Sequence, residues 1–150
     1  MLRKSLTGVS LLFIVAMIVN TVIALHYRWP AMFDAPGNPA TIETDFIWYG
    51  TRISPPVPAM IVFTLLSLAA LWRGWRGVLA TVLIVVLCAL MTIAGAGEPA
   101  GLPANGIPRW AWVILGTIGG YAPLLVGILG IAELVRRFLT RNTEEGSRIG

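Results

Sequence analysis

Charge is scarce in this chain. Only 12% of its 150 residues are charged, where a soluble domain carries roughly 25%. Too little polar surface remains to coat a water-soluble globule. Cysteine is nearly absent as well. Cys88 stands alone, so no internal disulfide forms, and quinone-linked disulfide exchange, which needs paired thiols, is excluded. A lone cysteine inside an apolar run reads as a small packing residue. The single histidine, His26, rules out a bis-histidine haem. At the edge of an apolar run it reads as a headgroup contact. No zinc-ligand spacing, nucleophile elbow or phosphate-binding loop occurs. No Asp, Glu, Lys or Arg falls in the middle of a long apolar run. Such groups mark proton relays and ion paths, so their absence argues against a proton-coupled exporter. No catalytic set and no metal site can be read from the sequence, so a non-enzymatic role is favoured over an enzyme, and no cofactor is expected other than a bound lipid or quinone.

What the chain has instead is apolar residues, 57% of the total, gathered in four blocks at 6–25, 55–72, 77–94 and 110–135. A membrane span needs roughly 20 residues, with about 17 to 25 tolerated. The fourth block is the longest and should tilt or kink. The expected fold is all-α: one domain over 1–150, a four-transmembrane-helix bundle with outer loops at 26–54 and 95–109. The apolar run after "MLRKS" is longer than the roughly 7–15 residues of a signal-peptide core, so a retained helix is expected there.

The net charge of +4 follows topology and does not indicate nucleic-acid binding. Arg3 and Lys4 precede the first block, Arg73 and Arg76 separate the second and third, and Arg136, Arg137, Arg141 and Arg148 follow the fourth. These are eight of the 11 basic residues. Arg28, Arg52 and Arg109 fall on the other side. Positive-inside bias then places both termini in the cytoplasm, and the small size suggests a bacterial inner membrane.

The inner loop "RGWRG" is short enough to make the second and third spans an antiparallel hairpin, with Trp72 and Trp75 at headgroup level. The first outer loop is long and aromatic. Its second half predicts a short interfacial helix: Asn38 as cap, Pro39 at the first position, and Glu43 and Asp45 near the positive end. Ile42, Phe46, Tyr49 and Ile53 recur at helical spacing as one apolar stripe. Ser54-Pro55-Pro56 reads as the break that opens the second span. In the second outer loop, Glu98 and Arg109 are a candidate pair.

Within the fourth block, "GTIGGYAPLLVGILG" places Gly116, Gly120, Pro123, Gly127 and Gly130 four, three, four and three apart, on one helical face. Helices in lipid associate by close packing, and small residues permit close backbone approach. This face is the expected helix-packing groove, with Gly116 and Gly120 as a GxxxG pair and Pro123 as a bend. Milder seams run through Ser10, Met17, Asn20 and Ala24, through Thr64 and Ser67, and through Thr81, Cys88, Thr92 and Gly95. Glu133 has Arg136 and Arg137 one turn on, at ion-pair spacing.

Two functions fit these features. The first is an accessory or structural subunit of a larger membrane complex, partnered by lipids and by other subunits or copies of itself. The second is a small transporter or binder of a lipophilic molecule, a lipid or quinone, held between the helices. The candidate ligand or partner contacts are Asn20, His26, Trp29, Phe46, Trp48 and Tyr49.

Overall fold

The computed structural model describes residues 2–28, 40–51, 53–96 and 109–146, with the side chains of 94–96, 109–113, 116 and 141–146 outside the described set. Among the described residues the chain is helical: α1 Leu2–His26, α2 Ile42–Tyr49, α3 Val57–Ala69, α4 Trp75–Ala96 and α5 Arg109–Gly146. Three stretches are long and apolar enough to cross a membrane: Leu2–His26, Trp75–Ile93 and Thr117–Thr140. The second apolar block behaves differently. Its helix, α3, has 13 residues and spans about 20 Å at 1.5 Å per residue, short of the roughly 30 Å hydrocarbon core.

Side-chain contacts fix the direction of each helix. Arg3 at the start of α1 meets Glu133 late in α5. Thr7 in α1 donates to the carbonyl of Ser67 near the end of α3. Asn20 and Thr21, late in α1, meet Ile53 and Ser54 just before α3. α1, α3, α4 and α5 therefore run up, down, up and down, and the start of α1 lies at the same end as the late turns of α5. The α3–α4 connection is a tight turn closed by Gly74 at φ 75°, a left-handed conformation that glycine adopts without a steric penalty.

The core lies where the four long elements meet. Leu6, Phe13 and Met17 from α1 pack with Met60 and Phe63 from α3, Ile84 and Cys88 from α4, and Val126 from α5. Phe13 and Phe63 meet edge to face, their centroids 5.7 Å apart, a favoured geometry for aromatic pairs. A smaller cluster at the opposite end joins Ala24, Ile42 and Ile53, with Leu115 against it. Large apolar residues such as Leu12, Leu65, Ile93 and Leu125 face outward, the pattern of helices whose outer solvent is hydrocarbon.

Two local expectations need correction. The first-loop helix begins at Ile42 with Thr41 at the N-cap, later than a cap at Asn38 would give; Asn38 and Pro39 lie outside the described residues. It ends at Tyr49, because Gly50 turns the chain at φ 73°. The stripe is therefore broken: Ile42 is buried and Tyr49 exposed, while Ile53 is buried from a turn and not from the helix face. Beyond the fourth apolar block, α5 stays helical through its charged end to Gly146.

Candidate functional site

The candidate site is built around a turn inserted between helices. The chain leaves α2 at Gly50, and Thr51 and Ser54 form an isolated antiparallel bridge. Only glycine fits at position 50. A Cβ there would lie 2.6 Å from the Ser54 carbonyl oxygen and 2.8 Å from the Pro56 nitrogen. Thr51, Ile53 and Ser54 are all buried. Irregular backbone survives at such a position only if protein satisfies its polar groups, and α1 does so. Asn20 Nδ2 donates to the Ile53 carbonyl at 3.1 Å. The Ile53 amide donates to Thr51 Oγ1.

Three hydroxyls close the arrangement. Thr21 Oγ1 lies 2.8 Å from Ser54 Oγ and 2.9 Å from the Met17 carbonyl. Ser54 Oγ lies 2.6 Å from Thr51 Oγ1. Each hydroxyl has one proton. All three contacts hold together only if Thr51 donates to Ser54, Ser54 to Thr21 and Thr21 to the Met17 carbonyl. On its other side the turn rests on α5: a Cβ at Gly119 would sit 3.1 Å from the Ile53 carbonyl oxygen.

Next to this turn lies a groove of about 450 Å³ between α1 and α3, within the roughly 300–1,000 Å³ of small-molecule sites. Ile14, Thr21 and Met60 are its buried members, Ile18, Val22, Ile61 and Leu65 its exposed rims. Phe46 of α2 covers one end, and Thr21 and Thr64 are its only hydroxyls. Both hydroxyls bond to helix carbonyls, of Met17 and Met60, so the groove presents an almost wholly apolar wall.

At the opposite end of the bundle sits a knot of charge. Glu133 is fully buried. It accepts from Arg3 Nε at 3.0 Å, from two nitrogens of Arg136 at 2.9 Å each and from Arg137 Nε at 2.7 Å. Arg137 also donates to the Ala70 carbonyl at the end of α3. Gly77, at the start of α4, lies close enough that a Cβ would stand 2.9 Å from the Arg137 guanidinium. One carboxylate thus joins α1 and α5 directly and reaches α3 through Arg137.

The residues singled out as candidate contacts do not converge. Asn20 is buried and bonded to the inserted turn. Phe46 lines the groove. Trp48 and Tyr49 project outward, 70% and 54% exposed. His26 is exposed and stands edge-on to Tyr27. Trp29 lies outside the described residues, as does Glu98 of the candidate second-loop pair.

On α5, Gly120, Pro123, Gly127 and Gly130 are buried; the surroundings of Gly116 are outside the described set. Gly127 and Gly130 face α4 of the same chain. A Cβ on the first would lie 3.3 Å from Cys88 Cβ, and one on the second 2.6 Å from a methyl of Val85. Sequence reasoning misses Thr21, Thr51, Ser54 and Gly119 as site residues, although all four are central to the inserted turn. Their signal is faint: a hydroxyl beside Asn20, and hydroxyls flanking two residues before Pro55-Pro56.

Among the described residues no group of three or more His, Cys, Asp or Glu side chains could hold a metal ion. The architecture is that of a helical membrane protein, with three helices that qualify as spans by length and composition. Comparison with protein-family models, with curated proteins and with solved structures finds no match to this chain.

Proposed function

We propose that this chain is a small multi-pass membrane protein that holds a lipophilic molecule, a lipid chain or a quinone tail, between α1 and α3. The groove of about 450 Å³ carries the reading. It is apolar, it opens sideways between two helices, and it lies beside the inserted turn, where hydroxyls and irregular backbone come together. In this reading α3 makes the fourth crossing with the help of the extended stretch before it and the turn after it, and α2 lies along the outer interface. The bias of basic residues along the sequence, eight of 11 on one side of the apolar blocks, supports cytoplasmic termini in a bacterial inner membrane.

The test is to purify the full chain in mild detergent, extract it with organic solvent and identify what came with it. A stoichiometric lipid or quinone is expected. Ile61→Trp, which fills the groove from its rim, should lower that amount at least tenfold while the protein still melts cooperatively. Equal amounts in parent and variant, or none above the detergent-belt background, would overturn the proposal.

A second reading, an accessory subunit of a larger complex, draws on the outward face of α2, where Ile47, Trp48 and Tyr49 are exposed together. It requires a second polypeptide to co-purify stoichiometrically and to be lost on Trp48→Ser.

A further inference from the structure

We propose that Arg3 and Arg136, held by Glu133, form a recognition site for the phosphate of an anionic phospholipid headgroup. This site lies at the opposite end of the bundle from the lipophile groove and does not depend on it.

The charges in the knot do not cancel. Three guanidinium groups meet one carboxylate, which leaves two positive charges in excess. The three arginines are also not equivalent. Arg137 is 8% exposed and gives its Nε to Glu133 and Nη2 to the Ala70 carbonyl; buried in this way, it ties helices together. Arg3 and Arg136 are 30% and 37% exposed. Arg3 gives Glu133 only its Nε, and Arg136 gives its Nε and one terminal nitrogen. Both terminal nitrogens of Arg3 and one of Arg136 meet no protein acceptor among the described residues.

Both side chains bond to Oε1 of the same buried carboxylate, so their guanidinium groups are neighbours with restricted rotation. Arginine forks match phosphate oxygens two at a time. A fork already anchored loses less freedom on binding than a free surface side chain.

The depth of this end favours a lipid over a soluble phosphate. Trp72 and Trp75 are exposed there, 57% and 70%, and the Arg76 guanidinium lies over the Trp75 ring at 5.9 Å. Trp and Arg at a helix end mark headgroup level. Basic pockets between helices at this level hold anionic headgroups.

The experiment is native mass spectrometry of the full chain in mild detergent, with equimolar phosphatidylglycerol and phosphatidylcholine of identical acyl chains. Preferential retention of phosphatidylglycerol is expected. Arg3→Gln with Arg136→Gln should weaken it about 30-fold, and Arg3→Gln alone about fivefold, at roughly 1 kcal/mol per basic residue. Lys4→Gln with Arg73→Gln removes two exposed charges that are not among the ion-pair partners of Glu133 and should leave retention unchanged. If the double arginine variant does not melt cooperatively, the single Arg3 variant decides the outcome. Equal retention of the two lipids overturns the proposal. So does unchanged binding in the arginine variants, or an equal loss in the Lys4/Arg73 control, which would indicate diffuse charge. Displacement of phosphatidylglycerol by equimolar inorganic phosphate would reassign the site to a free anion and overturn the lipid proposal.

Discussion

Replacing Glu133 with Gln should destabilise the bundle more than any single arginine change in the knot. Glu133 is fully buried and accepts four hydrogen bonds from three arginines. A glutamine keeps the shape but leaves one acceptor oxygen and turns an NH₂ group toward guanidinium donors. The arginines then repel each other with no anion between them. Removing one partner of a buried ion pair costs about 3–5 kcal/mol. At roughly 2–4 °C per kcal/mol for a chain of this size, the melting temperature should fall by about 6–20 °C. Arg3→Gln removes one hydrogen bond from a side chain that is 30% exposed, so about 1 kcal/mol and about 2–4 °C are expected. Arg137→Gln, which also strands the Ala70 carbonyl, should fall between them. The chain carries its own reporter: Cys88 is the sole cysteine and only 1% exposed. A dye that fluoresces on reacting with thiols therefore reads unfolding directly as temperature rises. A Glu133→Gln variant melting within about 2 °C of the parent, or an Arg3→Gln variant losing as much as Glu133→Gln, would refute this account of the knot.

The same melt tests two further expectations. Gly130→Ala places a methyl 2.6 Å from a Val85 methyl and should destabilise by about 1–3 kcal/mol through overpacking. Gly127→Ala, at 3.3 Å from Cys88 Cβ, should cost less, and Gly8→Ala, with open space around it, should be neutral or stabilising; any other order counts against close α4–α5 packing. Ser10 presents a buried hydroxyl with no hydrogen-bond partner among the described residues, and such a group costs about 1–3 kcal/mol. Ser10→Ala should therefore raise the melting temperature, and a fall would show that the hydroxyl is satisfied.

The helices were legible because apolar block length alone argues for them, and the break before α3 because Pro55 and Pro56 follow Ser54. The seam residues of α1, Ser10, Met17, Asn20 and Ala24, are buried, as helical periodicity implies. What stayed hidden was contact between distant parts of the chain. The pairing of Glu133 with Arg136 and Arg137 follows from spacing along one helix, whereas the contribution of Arg3, 130 positions away, depends on how α1 and α5 pack. Thr51 and Ser54 read as loop residues, since nothing local says that α1 will bury them. The glycine spacing on α5 passes over Gly119, yet that residue meets the Ile53 carbonyl. The stripe through Ile53 fails because it assumes that the helix continues past Gly50.

The short α3 is the element that most needs a physical account, because the ends of a helix leave backbone amides and carbonyls without intrahelical partners. Its C-terminal carbonyls can be followed one by one. Leu66 accepts from the Ala70 amide, Leu68 from Leu71 and Ala69 from Trp72. Ser67 accepts from the Thr7 hydroxyl and Ala70 from Arg137. Two of these five carbonyls are thus satisfied by side chains of α1 and α5. At the other end, Pro56 and Pro58 have no amide proton to satisfy, and the Met60 amide bonds back to Pro56. The turn before it is held by Asn20 and Thr21. A helix of 13 residues is therefore clamped by α1 at both ends, while between the clamps, on the outward side, it faces α1 across the groove. The polar contacts at the two ends and the Phe13–Phe63 packing between them hold the two helices together, and the side chains of Ile18, Val22, Ile61 and Leu65 line the gap that remains on the outward side.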